Sequence, residues 1–321
     1  MELSARRLTF LVIVLLTLTL SLNRANATTI SIGSNPTDVA FDSRLNEVFV
    51  SNYDAGSGNT VSVIADDMNR VAATVTVGSG PAGVAFDSHL NEIFVANERA
   101  NTVSVIPDAT NKVSATITVG SAPVGVAFDP HLDEIFVANF HSNTVSVIPD
   151  AKNRVTATIA VGEGPVGVAF DSHLNEIFVA NFRSDTVSLI SDATNEITQT
   201  VPVANYPHGI AFDPNKNEVF VANEGSGTVS VIPDATNRVR VDVSVGSNPT
   251  NIAFDSHLNE VFVCDYDSGA GDTVSVIADA SNTVTATIIL AGGPYGAAFD
   301  SNKNEVFVSD NVSGTVSVVP G

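Results

Sequence analysis

Short apolar runs separated by polar turns recur along the whole chain. In one representative stretch, Pro123-Val-Gly-Val-Ala-Phe-Asp129 is followed by the polar turn Pro130-His-Leu-Asp133 and then by Glu134-Ile-Phe-Val-Ala-Asn139. Phe140-His-Ser-Asn143 turns the chain into Thr144-Val-Ser-Val-Ile148, and Pro149-Asp-Ala-Lys-Asn153 turns it into Arg154-Val-Thr-Ala-Thr-Ile-Ala-Val161. β-Branched residues dominate these runs and none has a helical period, so each predicts a short strand. We label the four strands A to D. A and B are nearly continuous apolar runs, as expected where both faces are buried. C and D alternate more clearly. In D, Val155, Ala157, Ile159 and Val161 point one way and Thr156, Thr158 and Ala160 the other, the pattern of a half-exposed strand. The unit therefore predicts a four-stranded antiparallel meander, ordered from buried to polar.

The phrase Phe-Asp marks the end of strand A in every copy. It falls at Phe41-Asp42, Phe86-Asp87, Phe128-Asp129, Phe170-Asp171, Phe212-Asp213, Phe254-Asp255 and Phe299-Asp300, which are 45, 42, 42, 42, 42 and 45 residues apart. Seven copies of a four-stranded unit at this period predict a seven-bladed β-propeller. Thr28-Thr-Ile-Ser-Ile-Gly33 aligns with a strand D that has no A, B or C before it. Thr315-Val-Ser-Val-Val319 is a strand C with no D after it. The N-terminal strand is expected to complete the last blade and close the ring, removing two sheet edges.

The first 27 residues fall outside this pattern. Arg6 and Arg7 precede an apolar run from Leu8 to about Leu22, and Ala25-Asn26-Ala27 follows. That order reads as a secretory signal peptide, with an uncleaved N-terminal anchor as the alternative. Residues 28–321 are then one propeller domain, expected to be secreted or at the cell surface. The single cysteine, Cys264, excludes an intrachain disulfide and replaces an alanine found in other copies, so it reads as a small buried residue. The formal net charge of −21, with no basic patch, argues against nucleic acid or an anionic membrane surface as partner.

The repeat Pro-x-Gly-Val-Ala-Phe-Asp…Glu-Ile-Phe-Val-Ala-Asn…Asn-Thr-Val-Ser-Val-Ile…Val-x-Ala-Thr-Ile-x-Val-Gly resembles the YVTN family β-propeller repeat. Its tetrapeptide looks like Phe-Val-Ala-Asn at 94–97, 136–139, 178–181 and 220–223. It becomes Phe-Val-Ser-Asn at 49–52, Phe-Val-Cys-Asp at 262–265 and Phe-Val-Ser-Asp at 307–310. The resemblance implies an exported or surface-layer propeller. It does not select a function, because similar propellers include lactonases, nitrite reductases and quinoprotein dehydrogenases.

Residues present in all seven copies are expected to serve the blade. The Asp of each Phe-Asp and the Glu opening each strand B read as turn and solvated carboxylates. His89, His131, His173 and His257 share one A–B turn position and read as a surface ring. The Asn closing strand B is expected to bond backbone in the B–C turn. Function is sought where the repeat breaks. At the start of strand A the polar exceptions are Thr37, Asp38, His208, Thr250, Asn251 and Tyr295, from neighbouring blades 1, 5, 6 and 7. The two longer copies extend the B–C loop, as Tyr53-Asp-Ala-Gly-Ser-Gly-Asn59 and Tyr266-Asp-Ser-Gly-Ala-Gly-Asp272. Tyr53 and Tyr266 are candidate contact residues, with Phe140, Arg99, Phe182 and Arg183 on the same face. Asp54, Asp265, Asp267 and Asp272 are weak Ca²⁺ candidates, and otherwise no cofactor is expected. Asn311-Val-Ser313 is a glycosylation acceptor pattern.

The sequence holds no nucleophile elbow, zinc-protease helix, phosphate loop or haem attachment motif. The expectation is a non-catalytic, exported propeller that binds an extracellular or envelope protein or glycan, or builds an envelope layer. The alternative is a lactonase-like or oxidoreductase enzyme at the channel mouth, with His208 and Asp38 as an acid–base pair.

Overall fold

The computed structural model describes residues 27–267, 272–290 and 292–321. The signal-peptide reading thus falls on residues outside this range except Ala27, as does the tip of the second extended loop. Among the described residues, 28 strands form seven four-stranded sheets. Blade 3 is typical. Its strands are A, Pro123–Asp129; B, Glu134–Asn139; C, Thr144–Pro149; and D, Ala157–Ala160. Neighbouring strands within it pair antiparallel in sequence order. The seventh sheet joins Thr28–Ser31 to Thr315–Pro320, with Thr28 opposite Val318 and Ser31 opposite Thr315. The N-terminal strand is therefore the outermost strand of the last blade, and the ring is closed. No described helix is long and apolar enough to cross a membrane.

The core lies between blades. Along strand B of blade 2, Phe94 and Ala96 pack with Val126, Ile135 and Val137 of blade 3, while Ile93 and Val95 pack with Ala40, Phe49 and Val61 of blade 1. The same division recurs around the ring. Each tetrapeptide phenylalanine, from Phe49 to Phe307, is fully buried in such an interface. One apolar alternation thus serves two interfaces, which is why A and B read as continuous runs. Strand C departs from its half-exposed pattern: the central four residues of Thr144–Pro149 are all buried. Both faces of the blade are covered, and the polar residue on the alternating side is absorbed by the preceding strand. Asn139 donates through Nδ2 to Ser146 Oγ at 3.0 Å and Thr144 Oγ1 at 3.2 Å. That contact also corrects the expected backbone role for this Asn, whose Nδ2 donates to strand C hydroxyls in blades 1 to 5.

Strand topology puts the A–B and C–D turns on one face of the ring and the D–A and B–C loops on the other. On the A–B face the repeated Asp closes a turn on itself. Asp171 Oδ1 accepts from His173 N at 2.7 Å and Leu174 N at 3.2 Å, and the bond to the second following residue recurs in all seven blades. The neighbouring histidines do more than coat the surface. His89, His131 and His173 reach through Nδ1 to Asp150, Asp192 and Asp234, in the C–D turn of the next blade, at 2.8, 2.6 and 2.6 Å. Arg44 reaches Asp108, and Lys303 reaches Asp66 at 3.0 Å. Each partner aspartate is nearly inaccessible. These pairs latch one blade to the next.

Candidate binding site at the channel mouth

Strand A lines the channel, and each copy opens with a proline followed by a one-residue bulge against strand B. The second residue after the proline is usually glycine, for a steric reason. A Cβ on Gly125 would lie 1.9 Å from the Val166 carbonyl oxygen of the next blade, and one on Gly83 would lie 2.0 Å from that of Val124. Only blades 1 and 6 escape this rule, with Asp38 and Asn251. The two side chains meet across blade 7, Asn251 Nδ2 donating to Asp38 Oδ1 at 3.1 Å. Asp38 Oδ2 accepts from Val84 N at 2.9 Å. Burial pushes the Asp38 pKa up to about 6, against hydrogen bonds from Val84, Val39 and Asn251 that pull it down.

His208 and Tyr295 form a second pair. His208 Nδ1 donates to the Thr250 carbonyl at 2.7 Å, which fixes the tautomer and leaves Nε2 to accept from the Tyr295 hydroxyl at 3.4 Å. Burial pushes the His208 pKa down to about 4, so the ring is neutral at neutral pH. Burial, with Glu224, Tyr266, Asp38 and Tyr53 nearby, pushes the Tyr295 phenol well above its ordinary range. His208 and Asp38 line the same cavity, and each is hydrogen-bonded to other residues. Thr250 is 2% exposed and donates to the Tyr295 carbonyl at 2.8 Å. Thr37 similarly ties Ser51 Oγ, at 2.9 Å, and the Ala82 carbonyl, at 3.0 Å. These two threonines stitch adjacent A strands.

A second tier stands above these residues. The residue following strand B has one backbone geometry in all seven blades. Its N–H donates to a carbonyl of the D–A loop, as from Phe182 to Gly164 at 2.9 Å and from Glu224 to Tyr206 at 2.9 Å. The side chains at this position differ: tyrosine at 53 and 266, phenylalanine at 140 and 182, glutamate at 98 and 224, asparagine at 311. All seven are half-buried. The rings form an arc. Phe182 stacks on Tyr206 at 5.0 Å and meets His208 edge-on at 6.2 Å; His208 meets Tyr295 at 5.7 Å, and Tyr295 meets Tyr266 at 5.7 Å. The Arg183 guanidinium lies 4.4 Å above the Phe140 ring, and Arg99 Nη2 donates to the Tyr53 hydroxyl at 3.1 Å.

The two tiers enclose a cavity of about 520 Å³, lined by Asp38, Tyr53, Glu98, Phe140, Phe182, His208, Glu224, Asn251 and Tyr295 together with strand A backbone. Of the residues singled out in the sequence, Thr37, Asp38, Tyr53, His208, Asn251 and Tyr295 reach it directly, while Tyr266 reaches it through Tyr295. Sequence reasoning missed Glu98, Glu224 and Tyr206. The first two share the register of Tyr53 and Phe140, immediately after the tetrapeptide, so lining up that one column would have found them.

The Ca²⁺ candidates have other engagements. Asp265 stands where most blades carry Asn, and Oδ2 accepts from Ser275 Oγ at 2.6 Å and Thr273 Oγ1 at 3.1 Å. Asp272 accepts from Asp267 N at 3.2 Å and Gly293 N at 2.9 Å, and exposed Asp54 accepts from Ser57 Oγ at 3.0 Å. Among the described residues, the side-chain groups close enough to share a metal are His89 with Asp133 and Asp150, and Asp66 with Asp300 and Glu305. Both belong to the latch face, where Lys303 already neutralises Asp66. Cys264 is wholly buried, and burial pushes its thiol pKa up, which makes it inert. The acceptor Asn311 donates through Nδ2 to the Pro36 carbonyl at 3.0 Å.

No family model and no curated protein sequence matches the chain. Among solved structures it is similar to hydrazine synthase of Kuenenia stuttgartiensis, with a TM-score of 0.79 at 16% identity, over 89% of this chain and 96% of that one. At that identity the likeness concerns the seven-bladed fold alone.

Proposed function

We propose that this protein is a binding module: an exported, cell-surface propeller of the YVTN repeat type that captures an envelope protein or glycan at one mouth of its channel. The observation that carries this reading is the crown above the cavity. Seven identical backbone hydrogen bonds hold seven side chains that are not identical. A scaffold has no need to vary there, whereas a recognition surface does. The size of the cavity and its aromatic lining with a few polar groups suit a ligand site. Binding is favoured over catalysis because His208 and Asp38 are each held by structural partners, and Thr37, the one hydroxyl of an aliphatic side chain in the lining, is committed to Ser51 and Ala82. Export is supported by the charged, apolar and small-residue order of residues 1–27.

The test is capture of envelope material by the folded protein, compared with Phe182→Ala. Phe182 is half-buried at the rim, so its truncation leaves the fold intact and is expected to weaken capture at least about five-fold. Capture that is equal for both proteins, or turnover of lactones or of a redox dye by the purified protein, overturns the reading. Cell fractionation that finds the chain in the cytoplasm with residues 1–27 attached overturns the exported part.

A further inference from the structure

The mouth is uneven in charge. No lysine or arginine lines the cavity, whereas Asp38, Glu98 and Glu224 do. These acids are not equally satisfied. Asp38 holds two hydrogen bonds, and Glu98 has the Arg99 guanidinium 3.7 Å away. Glu224 has no hydrogen-bond donor on its carboxylate among the described residues, and burial alone pushes its pKa up. Glu224 is half-buried, and a carboxylate partly withdrawn from water without a partner is stabilised when a bound cation supplies the positive charge.

Its surroundings are aromatic. Phe182 precedes it in the crown, and the edge-to-face series Phe182, His208, Tyr295 forms the neighbouring wall. His208 adds a ring to this wall without adding charge, because burial keeps the ring neutral at neutral pH. Ring faces and a carboxylate together form the environment in which a desolvated organic cation is stabilised. The chain already uses one crown ring in this way, with Arg183 over Phe140. The net charge of −21 draws cations toward the surface as a whole.

We infer that the cavity takes an organic cation, a protonated or quaternary nitrogen carried by the captured envelope molecule, which seats between the Glu224 carboxylate and the Phe182–Tyr295 wall. This deepens the proposed function and rests on the mouth being the binding site. The volume of about 520 Å³ holds a ligand much larger than a bare ammonium, so the nitrogen is one feature of a bigger molecule. A metal ion fits this half of the mouth less well, because the groups close enough to share a metal among the described residues lie on the opposite face.

The test uses the full chain and titration calorimetry with three probes: choline, its uncharged isostere 3,3-dimethyl-1-butanol, and a neutral oligosaccharide. Choline is expected to bind saturably and at least about ten-fold more tightly than the isostere. Glu224→Gln should remove most of that preference while the melting temperature stays level or rises, since an unpartnered acid is lost. Phe182→Ala should weaken choline about ten-fold. Equal binding of choline and the isostere, or a Glu224→Gln protein that keeps full preference for choline, overturns the inference. Saturable binding of the neutral oligosaccharide, lost in Phe182→Ala and with no response to choline, overturns this inference and leaves the mouth as the binding site. No binding of any probe, with envelope capture unchanged by Phe182→Ala, overturns both.

Discussion

The two faces of the ring are built from the same strands yet treat repetition in opposite ways. On the A–B face, chemistry is constant: seven aspartates close seven turns, and basic side chains reach the buried aspartates of neighbouring blades. On the D–A face, the backbone is constant and the side chains vary. The difference separates holding the ring together from presenting something to a ligand. A residue that recurs because neighbours need it is scaffold, even when it is a carboxylate or a histidine. A residue that changes while its backbone does not is the better functional candidate.

The sharpest way to break this comparison lies within the mouth itself. Gly125 and Asn251 occupy one repeat position, but only the first is pressed against the next blade. Gly125→Ala should cost about 3 kcal/mol in urea unfolding, because its Cβ has no room beside the Val166 carbonyl. Asn251→Gly introduces no such clash and loses only the hydrogen bonds to Asp38 and Ile252, so it should cost less, about 1–2 kcal/mol. Equal costs would mean that the mouth is scaffold throughout.

On the latch face, Asp171→Ala leaves the His173 and Leu174 amides without their acceptor, and should cost about 2 kcal/mol. The mouth-side aspartate Asp265 should behave in the opposite way. Burial pushes its pKa from 3.8 up to about 6, so ionisation is harder in the folded chain. The associated stability is complete below pH 3.8 and is lost as the pH rises through about 6. Asp265→Asn removes that loss and restores the donor found at Asn97, Asn139 and Asn181. It should therefore gain about 1–2 kcal/mol at neutral pH and nothing in acid, as read from unfolding curves at both pH values.

The smallest expected effect belongs to the histidine latches. Hydrogen bonds to Asp150 and Asp192 raise the pKa of His89 and His131 above 6.5. Their contribution is complete below that value and fades as pH rises through the raised pKa. The difference in melting temperature between the native chain and His131→Gln should shrink from about pH 6 to about pH 9. A difference that grows with pH would show that the latch does not depend on charge.

Much of the architecture was legible because a repeat reports its own register. The Phe-Asp spacing, with Thr28–Gly33 as an orphan strand, anticipated the seven sheets and the closing pair of Thr28 with Val318. The burial of strand C was not legible, because alternation describes a single sheet, whereas the Val145 and Val147 side and the Ser146 side are both covered by protein here. The latches escaped for another reason. His89 and Asp150 are 61 residues apart and belong to different copies, so nothing local links them. At the mouth, unusual residues in strand A stood out by comparison with glycine. Glu98 and Glu224 did not, since a glutamate in a loop looks ordinary until its column is aligned with Phe140 and Phe182.

Closure by the first strand also decides how the ring faces the world. Thr28 begins a strand D and Gly321 follows a strand C, so both lie at the A–B face, with the Gly321 amide bonded to the Asn304 carbonyl in a turn there. Any chain leading into Thr28 or away from Gly321 therefore meets the ring on that side. A tether to a surface, a fused domain or an immobilising tag would leave the cavity pointing away from its support, like a cup set down on its base.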